Sequence, residues 1–410
     1  MAHLDRRRAE RLMSEAGLDA LILLAPESFS YATGAAPGVA TMWRRAGAVA
    51  VLVPADPAVA EGAVVSDLFV EGFRAASHIT DVRESPTWIE TTRVEVMAGH
   101  TGPEDAIADA WKRDGRTPAF ARPETFDAEA TYRHVADMLA ERGLSRGRIG
   151  FEGAAVAVTD YARLAAALDV DLVDATDCIG LLKAVKSPEE IALLRRAVDL
   201  TEHGIGAIHD AIASGVSRSA LSAAWTSAIF RHGEPPGDAW DYISVGPDPW
   251  GGDATARSGD LVKVDVGCVV DGYTADVGRT FVLGNPSDLQ ARLHDALAEG
   301  YAAGSALLRP GVRFADIHFA TQAAIRAAGF PAYARGHFGH SLGPGPGIEQ
   351  WPFISAGSDV VAEPGMVLAF ECPWYLDGLG GMIIESDVLI TATGHEPLNT
   401  LTTELVRVAG

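Results

Sequence analysis

The stretch LVKVDVGCVVDGYTADVGRTF, residues 261–281, decides how the second half of this chain folds. It contains two runs rich in β-branched and aromatic residues, separated by Asp271-Gly272, a pair typical of a two-residue hairpin turn. The two runs are therefore predicted to pair as antiparallel strands. Each run carries one carboxylate among apolar neighbours, Asp265 and Asp276, and a lone charge buried in such a strand is costly. The hairpin thus predicts a cation or a hydrogen-bonding partner for both acids.

A second pair of predicted strands repeats this pattern further along the chain. Glu371 and Glu385 are each embedded in an apolar run, and the Gly-rich residues 378–381 separate the two runs. Four buried carboxylates would repel one another without a positive centre, and His340 can supply a neutral nitrogen ligand. Such a hard, oxygen-rich donor set favours manganese, iron or cobalt and tolerates zinc. The predicted metal ligands are Asp265, Asp276, His340, Glu371 and Glu385.

These segments resemble the creatinase, prolidase and aminopeptidase P family, which has the pita-bread fold. Asp276 follows Asp265 by eleven positions and is itself followed by Gly-Arg-Thr-Phe, similar to the first two ligands of that family. Residues 339–343, 364–371 and 381–385 resemble its histidine motif and its two glutamate motifs. The resemblance implies an α+β protein of two domains, a smaller α/β creatinase-like domain and a pita-bread catalytic domain. It also implies a homodimer.

The predicted division lies near residue 180, with residues 1–180 as the N-terminal domain and residues 181–410 as the catalytic domain. The first domain begins with a predicted helix ended by Gly17. The second begins with a helix that Ser187 can cap, with Glu190 completing a capping box.

The resemblance assigns a role to each predicted ligand. Asp276 and Glu385 are expected to bridge two divalent metal ions, with manganese as the leading candidate. Asp265 would then chelate one ion, while His340 and Glu371 complete the other. A metal-bound hydroxide is the expected nucleophile, attacking an amide carbonyl. Glu371 is the expected proton shuttle, because a ligand carboxylate can accept the water proton and pass it to the leaving nitrogen.

Around this metal core the chain departs from the family. Gly347 stands where peptidase members carry a histidine, and Ile383 stands where an arginine often precedes the last glutamate. The loop of residues 246–253 has no histidine, although a second family histidine is expected there. The candidate catalytic residues are therefore Glu371, His337, Glu349 and Asp253.

A complete ligand set with altered surroundings is compatible with three classes of function. The first is a dinuclear metallohydrolase resembling an Xaa-Pro dipeptidase or aminopeptidase P, which would cut short peptides. The second is a non-peptide metalloenzyme of the same fold, either a small-molecule C–N hydrolase or a lyase of the dimethylsulfoniopropionate-cleaving type. The third is a catalytically silent binding protein, but silence predicts lost ligands and none of the five is lost. Fold analogy alone does not fix the chemistry.

The motif Gly-His-Ser-Leu-Gly at residues 339–343 also matches the nucleophile elbow of serine hydrolases. In such enzymes a helix follows the serine. Here Ser341 is followed by the Gly-Pro string of residues 343–347, which no helix could accommodate in its first turns. The context therefore argues against a serine nucleophile.

Composition excludes other partners. A formal net charge of −22, from 55 acidic and 33 basic residues, argues against binding to nucleic acid. No apolar run is long enough to cross a bilayer, and the charged first residues do not resemble a signal peptide, so we expect no membrane association and a cytoplasmic protein. The three cysteines are expected to be buried thiols, since they show neither even pairing nor metal-ligand spacing.

Overall fold

The computed structural model describes residues 2–94, 99, 101–233, 235–250, 252–345 and 347–409. The chain divides into two compact units, Met1–Leu182 and Lys183–Gly410, and each has a β-sheet and hydrophobic clusters of its own. None of the described helices combines the length and the apolar character that a membrane-spanning segment requires.

The first unit is built on a six-stranded mixed sheet with the strand order β4-β3-β2-β1-β5-β6. Its strands are β1 (Ala20–Leu23), β2 (Ala50–Pro54), β3 (Gly62–Ser66), β4 (Asp81–Ser85), β5 (Arg148–Phe151) and β6 (Asp171–Asp174). Its helices are α1 (Arg6–Ala16), α2 (Pro26–Thr33), α3 (Ala40–Trp43), α4 (Val70–Ala76), α5 (Pro103–Arg113), α6 (Ala128–Glu141), α7 (Val158–Ala167) and α8 (Thr176–Ala184), the last of which spans the division.

Helix α1 begins and ends for local reasons. The Asp5 carboxylate accepts hydrogen bonds from the backbone N–H groups of Arg7 and Arg8, and so caps the first turn. Gly17 ends the helix in the left-handed conformation, at φ 64°, as the sequence predicts. The chain then enters β1, whose four residues are all buried.

The second unit is organised around an eleven-stranded sheet whose main path is β10-β9-β11-β15-β14-β12-β13. Its strands are β7 (Asp238–Asp241), β8 (Ser244–Val245), β9 (Leu261–Val270), β10 (Tyr273–Thr274), β11 (Val277–Leu283), β12 (His337–Ser341), β13 (Gln350–Ser355), β14 (Val367–Leu376), β15 (Gly380–Ile390), β16 (His395–Pro397) and β17 (Val406–Val408). Its helices are α9 (Pro188–Ala211), α10 (Arg218–Ile229), α11 (Asp288–Ser305) and α12 (Phe314–Ala327).

The hairpin predicted from residues 261–281 is present. Asp271 and Gly272 both have positive φ, 49° and 85°, as a turn matched to the twist of the strands requires. Strand β9 pairs antiparallel with β10 and β11 in one unbroken register. The alternate residues Val262, Val264 and Val266 pack in one hydrophobic cluster with α9 and α10, which leaves the other face of β9 for polar side chains.

The capping box at the start of α9 is also confirmed. The Ser187 hydroxyl accepts from the Glu190 N–H, and the Glu190 carboxylate accepts from the Ser187 N–H. Glu190 is fully buried, and its other carboxylate oxygen accepts a 2.9 Å hydrogen bond from the Tyr273 hydroxyl. The same acid therefore starts the helix and ties it to β10.

The three cysteines are free thiols. Cys268 and Cys372 are buried, as predicted, and burial raises the pKa of the Cys268 thiol to about 11. Cys178 is only partly buried, contrary to the prediction, because its side chain on α8 packs against the buried residues of a hydrophobic cluster instead of lying among them.

Candidate active site

Strand register aligns three of the predicted ligands in one row across the sheet. Asp265 on β9 lies opposite Gly278 on β11, Gly278 lies opposite Glu385 on β15, and Glu385 lies opposite Glu371 on β14. Directly paired residues have their side chains on the same face of a sheet. The row therefore brings three carboxylates from distant parts of the sequence onto one surface.

A second row runs beside the first. Asp387 on β15 pairs with Ala369, and Ala369 pairs with His340 on β12. Asp276, between β10 and β11, joins this row because its N–H donates a 3.2 Å hydrogen bond to Asp387 Oδ2. The distance between His340 Nε2 and Asp276 Oδ2 is 3.5 Å.

The buried guanidinium of Arg279 fixes the strands that carry these rows. It donates to the backbone carbonyl of Glu385, to Ser386 Oγ at 3.2 Å and to the carbonyl of Leu401 at 2.9 Å. These bonds join β11 to β15 at the position of a predicted ligand. Arg279 thus fixes the backbone that carries the ligands, and its side chain is not among the residues that line the cavity.

The donor set of Asp276, His340 and Glu385 fits a divalent cation. One ligand atom from each residue lies within 4.8 Å of those of the other two, and all three side chains are buried. Asp276 Oδ1 and Glu385 Oε2 have no hydrogen-bond partner among the described residues. A buried carboxylate oxygen without a donor is costly, so these two atoms suit a positive ion.

The electrostatics of the cluster agree with this fit. Burial, opposed by the contact with His340 and reinforced by Asp265, raises the pKa of Asp276 to about 7. Burial also raises the pKa of Glu385 well above its usual range, and the neighbouring carboxylates add to that effect. Burial alone would lower the pKa of His340, but its contact with Asp276 outweighs it and raises the pKa to about 9. The cluster therefore retains protons where a metal could replace them.

His337, a predicted catalytic residue, and Arg335 both contact Glu371. His337 Nδ1 lies 3.4 Å from Glu371 Oε1, and His337 Nε2 lies 3.4 Å from Glu349 Oε2. Arg335 Nη2 lies 2.7 Å from Glu371 Oε2, while Arg335 Nε donates to the backbone carbonyl of His337. Burial lowers the pKa of His337, which favours a neutral imidazole near neutral pH.

All five predicted ligands line one cavity of about 570 Å³, together with Glu349. His337 contacts this group through Glu349 and Glu371. Asp253 is placed elsewhere, because its exposed carboxylate accepts hydrogen bonds from the N–H and hydroxyl of Ser219 near the start of α10. In the loop of residues 246–253 and the Gly-Pro string of residues 343–347, Gly251 and Pro346 lie outside the described residues.

The serine motif has no elbow. Ser341 lies in β12, is buried and accepts a 3.0 Å hydrogen bond from the Lys186 ammonium. In the described residues between Ser341 and β13 there is no helix. Ser341 therefore lacks the strand-to-helix turn that a nucleophilic serine of this kind requires.

Three further charged residues at the site were not predicted from the sequence: Asp387, Lys263 and Arg335. Asp387 is fully buried, and burial beside Asp276 raises its pKa well above the usual range. The period of two along a strand was the available signal for Asp387 and Lys263, which lie two positions from Glu385 and Asp265. Arg335 precedes β12 in a loop, where no periodic pattern marks it.

A sheet that carries a buried cluster of carboxylates and one imidazole, open to a cavity, fits a metal-dependent hydrolase. Comparison with known proteins supports this class. Residues 192–392 match the model of metallopeptidase family M24, and residues 6–185 match that of the creatinase/prolidase N-terminal domain.

Relatives and solved structures agree with these matches. The uncharacterized peptidase YqhT of Bacillus subtilis is 30% identical over 280 residues, which cover 66% of this chain and 78% of the relative. The Xaa-Pro dipeptidase of Pyrococcus furiosus is 30% identical over 238 residues, covering 56% and 67% respectively. The structure of an Xaa-Pro dipeptidase from Bacillus anthracis matches with a TM-score of 0.75 at 22% identity, covering 98% of this chain and 99% of the other.

The chain therefore belongs to metallopeptidase family M24, in its creatinase and prolidase branch. The predictions of this family, of a two-domain α+β fold and of a metallohydrolase are confirmed.

Proposed function

We propose that the protein is a metal-dependent dipeptidase that hydrolyses the bond before proline in short Xaa-Pro peptides. The observation that carries the proposal is the buried cluster of Asp276, His340 and Glu385, with two unpartnered carboxylate oxygens, on the wall of a cavity. The Xaa-Pro dipeptidase of Pyrococcus furiosus among its relatives supports the choice of substrate.

The proposed ligand set is the one predicted from the sequence. Asp276 and Glu385 would be shared between two divalent ions, with Asp265 serving one ion and His340 and Glu371 serving the other. Four carboxylates and one imidazole are hard donors, which makes manganese the leading candidate. When bound, such a pair of ions supplies an acidic water as nucleophile and polarises the amide carbonyl.

The residues on the other side of the cavity would handle the proton. Arg335 contacts Glu371 Oε2, so Glu371 Oε1 is the oxygen that would accept the proton. His337 Nδ1 lies 3.4 Å from that oxygen and would hold Glu371 in place while Glu371 passes the proton to the leaving nitrogen. Glu349, 3.4 Å from His337 Nε2, would orient the imidazole. Asp253 has no part in this proposal, because its carboxylate binds Ser219 in the first turn of α10 instead.

A second candidate function rests on the residues around the core. Ile383 is buried and apolar where the family often has arginine, and Gly347 brings no imidazole. A non-peptide metalloenzyme, either a C–N hydrolase or a lyase, would need neither group. The replacements at Ile383 and Gly347 therefore favour a non-peptide metalloenzyme over a peptidase that keeps the arginine and histidine of the family.

The test is a substrate screen of manganese-loaded protein against alanyl-proline, longer Xaa-Pro peptides, small non-peptide amides and dimethylsulfoniopropionate. We expect hydrolysis of alanyl-proline that a chelator abolishes and added manganese restores. Asp359→Asn is the matched control for ligand variants, because the Asp359 side chain is 98% exposed. Turnover of a non-peptide substrate alone would instead support the second candidate.

The proposal also covers the domain organisation, the oligomeric state and the location of the protein. We propose an N-terminal domain at residues 1–180, a catalytic domain at residues 181–410, a homodimer and a cytoplasmic location. Light scattering on the purified protein tests the dimer, and a monomer at micromolar concentration would contradict it.

A further inference from the structure

Lys263 is a buried cation on the wall of the candidate active site. Only 4% of the residue is exposed, yet it lines the same cavity as the predicted ligands. Its ammonium lies 3.1 Å from Asp265 Oδ2 and 5.2 Å from the centre of the Tyr375 ring. A lysine is almost never buried this deeply unless it is paired. Its partner here is Asp265, a predicted metal ligand, so the ammonium lies beside the candidate metal centre.

The strand register relates Lys263 to the arginine that the chain lacks. Lys263 on β9 pairs with Thr280 on β11, and the Thr280 hydroxyl bonds to both the N–H and the carbonyl of Ile383 on β15. Lys263, Thr280 and Ile383 thus form the row next to the one that holds Asp265 and Glu385. The positive charge missing at Ile383 is present in the same row, two strands away.

The Lys263 ammonium keeps donors that the described residues do not use, and the two lining arginines are held by bonds to acceptors of the protein. Arg218 donates to the backbone carbonyls of Ile243 and Asp241, and Arg335 donates to Glu371 and to the His337 carbonyl. A lysine ammonium carries three donors. Among the described residues, Asp265 is the single hydrogen-bond acceptor found for the Lys263 ammonium. Donors remain for a ligand in the cavity.

The charge balance of the cavity indicates what that ligand is. Two divalent ions would neutralise the four carboxylates of the proposed ligand set. Glu349 is then the one further lining carboxylate among the described residues, against the three lining cations Arg218, Lys263 and Arg335. A cavity with excess positive charge favours an anionic substrate group.

We propose that Lys263 is a specificity residue that binds the free C-terminal carboxylate of a dipeptide substrate. Positions two apart on a strand are separated by about 6.7 Å, and an extended peptide advances about 3.5 Å per residue. A carboxylate one residue beyond the reacting carbonyl is therefore within reach of the Lys263 side chain. In a longer peptide a neutral amide would occupy this place. The inference rests on the proposed function for the reaction, and it narrows the substrate to dipeptides.

The experiment compares alanyl-proline with alanyl-prolinamide, which differ in the carboxylate alone. Binding to manganese-loaded protein is measured by calorimetry, and turnover is measured separately. We expect the wild type to bind alanyl-proline at least about tenfold more tightly, because hydrogen bonds to charged groups contribute that much or more. Lys263→Met should remove the preference without weakening the binding of the amide, and Lys263→Arg should retain it.

The metal content of the variants shows whether Lys263 binds the substrate carboxylate or only supports the metal site. Lys263→Met should keep the manganese content of the wild type, as should Lys112→Met, a control whose side chain is 77% exposed. If the Met variant does not fold, the same binding comparison is made with Lys263→Gln. Equal binding of both ligands by the wild type would overturn the inference. So would a variant that keeps the preference, or one that loses metal and both ligands together. A preserved binding preference without any hydrolysis would contradict the proposed function and leave this inference standing.

Discussion

Asp276 is the residue on which the candidate centre depends most. It contacts His340 through one carboxylate oxygen, leaves the other without a partner and donates its N–H to Asp387. Its environment therefore fits a ligand better than a structural acid, because a structural acid would have both oxygens satisfied.

We predict that Asp276→Asn loses bound metal and lowers activity by more than about a hundredfold, since even outer-shell changes at metal sites cost about 10–100-fold. Elemental analysis after manganese loading and an alanyl-proline assay measure the two effects. Asp359→Asn should match the wild type in both. Normal turnover by Asp276→Asn would show that the cluster is not the catalytic centre.

The residues around the core lead to a separate prediction about rate. Removing one donor to a developing oxyanion typically costs about a hundredfold or more in turnover. Gly347 and Ile383 offer no such donor, and Asp253 bonds to Ser219. We therefore expect turnover of alanyl-proline to be at least about a hundredfold below that of an ordinary prolidase, compared under the same manganese loading. An equal turnover number would mean that His337 or Glu349 has taken over those roles.

At the scale of the elements, the sequence was most informative where local pattern and tertiary structure agree. The turn at Asp271-Gly272 fixes the register of β9 against β11, and this register places Asp265 in its row. The alignment of that row with Glu371 could not be predicted, because it depends on pairing between strands about a hundred residues apart. Lys263 was overlooked because a lysine in an apolar strand suggests an exposed edge, whereas here it is buried and lines the cavity.

Two capping boxes permit a matched test of element stability. Ser187 caps α9 and Ser287 caps α11, and each accepts from the third helical residue while that residue's side chain returns a bond. We predict that Ser187→Ala and Ser287→Ala each lower the free energy of unfolding by about 1 kcal/mol. Chemical denaturation followed by circular dichroism measures this loss. Ser214→Ala, at an exposed position in the turn after α9, should change it little, and a similar loss there would argue against a capping effect.

For the whole molecule, the protons held by Asp276 and His340 make the free energy of unfolding depend on pH and on bound metal. The folded-state pKa of Asp276 is raised from 3.8 to about 7, and that of His340 from 6.5 to about 9. Because both are raised, their contribution to stability is complete below the unfolded values. It is lost as pH rises, through about 7 for Asp276 and about 9 for His340.

A bound metal takes the place of these protons, so its stabilising effect should grow with pH. We predict that manganese raises the melting temperature more at about pH 8.5 than at about pH 5.5, measured by differential scanning calorimetry. The same comparison on Asp276→Asn should show a flatter dependence. A metal effect that is constant or larger at the lower pH would contradict the pKa assignments.

The location of the metal is the most direct test of the account. Crystals of the protein soaked with manganese should give an anomalous difference peak bonded to Asp276, His340 and Glu385, with a second peak on the side of Asp265 at full loading. An empty map at this cluster, in crystals of protein that hydrolyses alanyl-proline, would contradict the account.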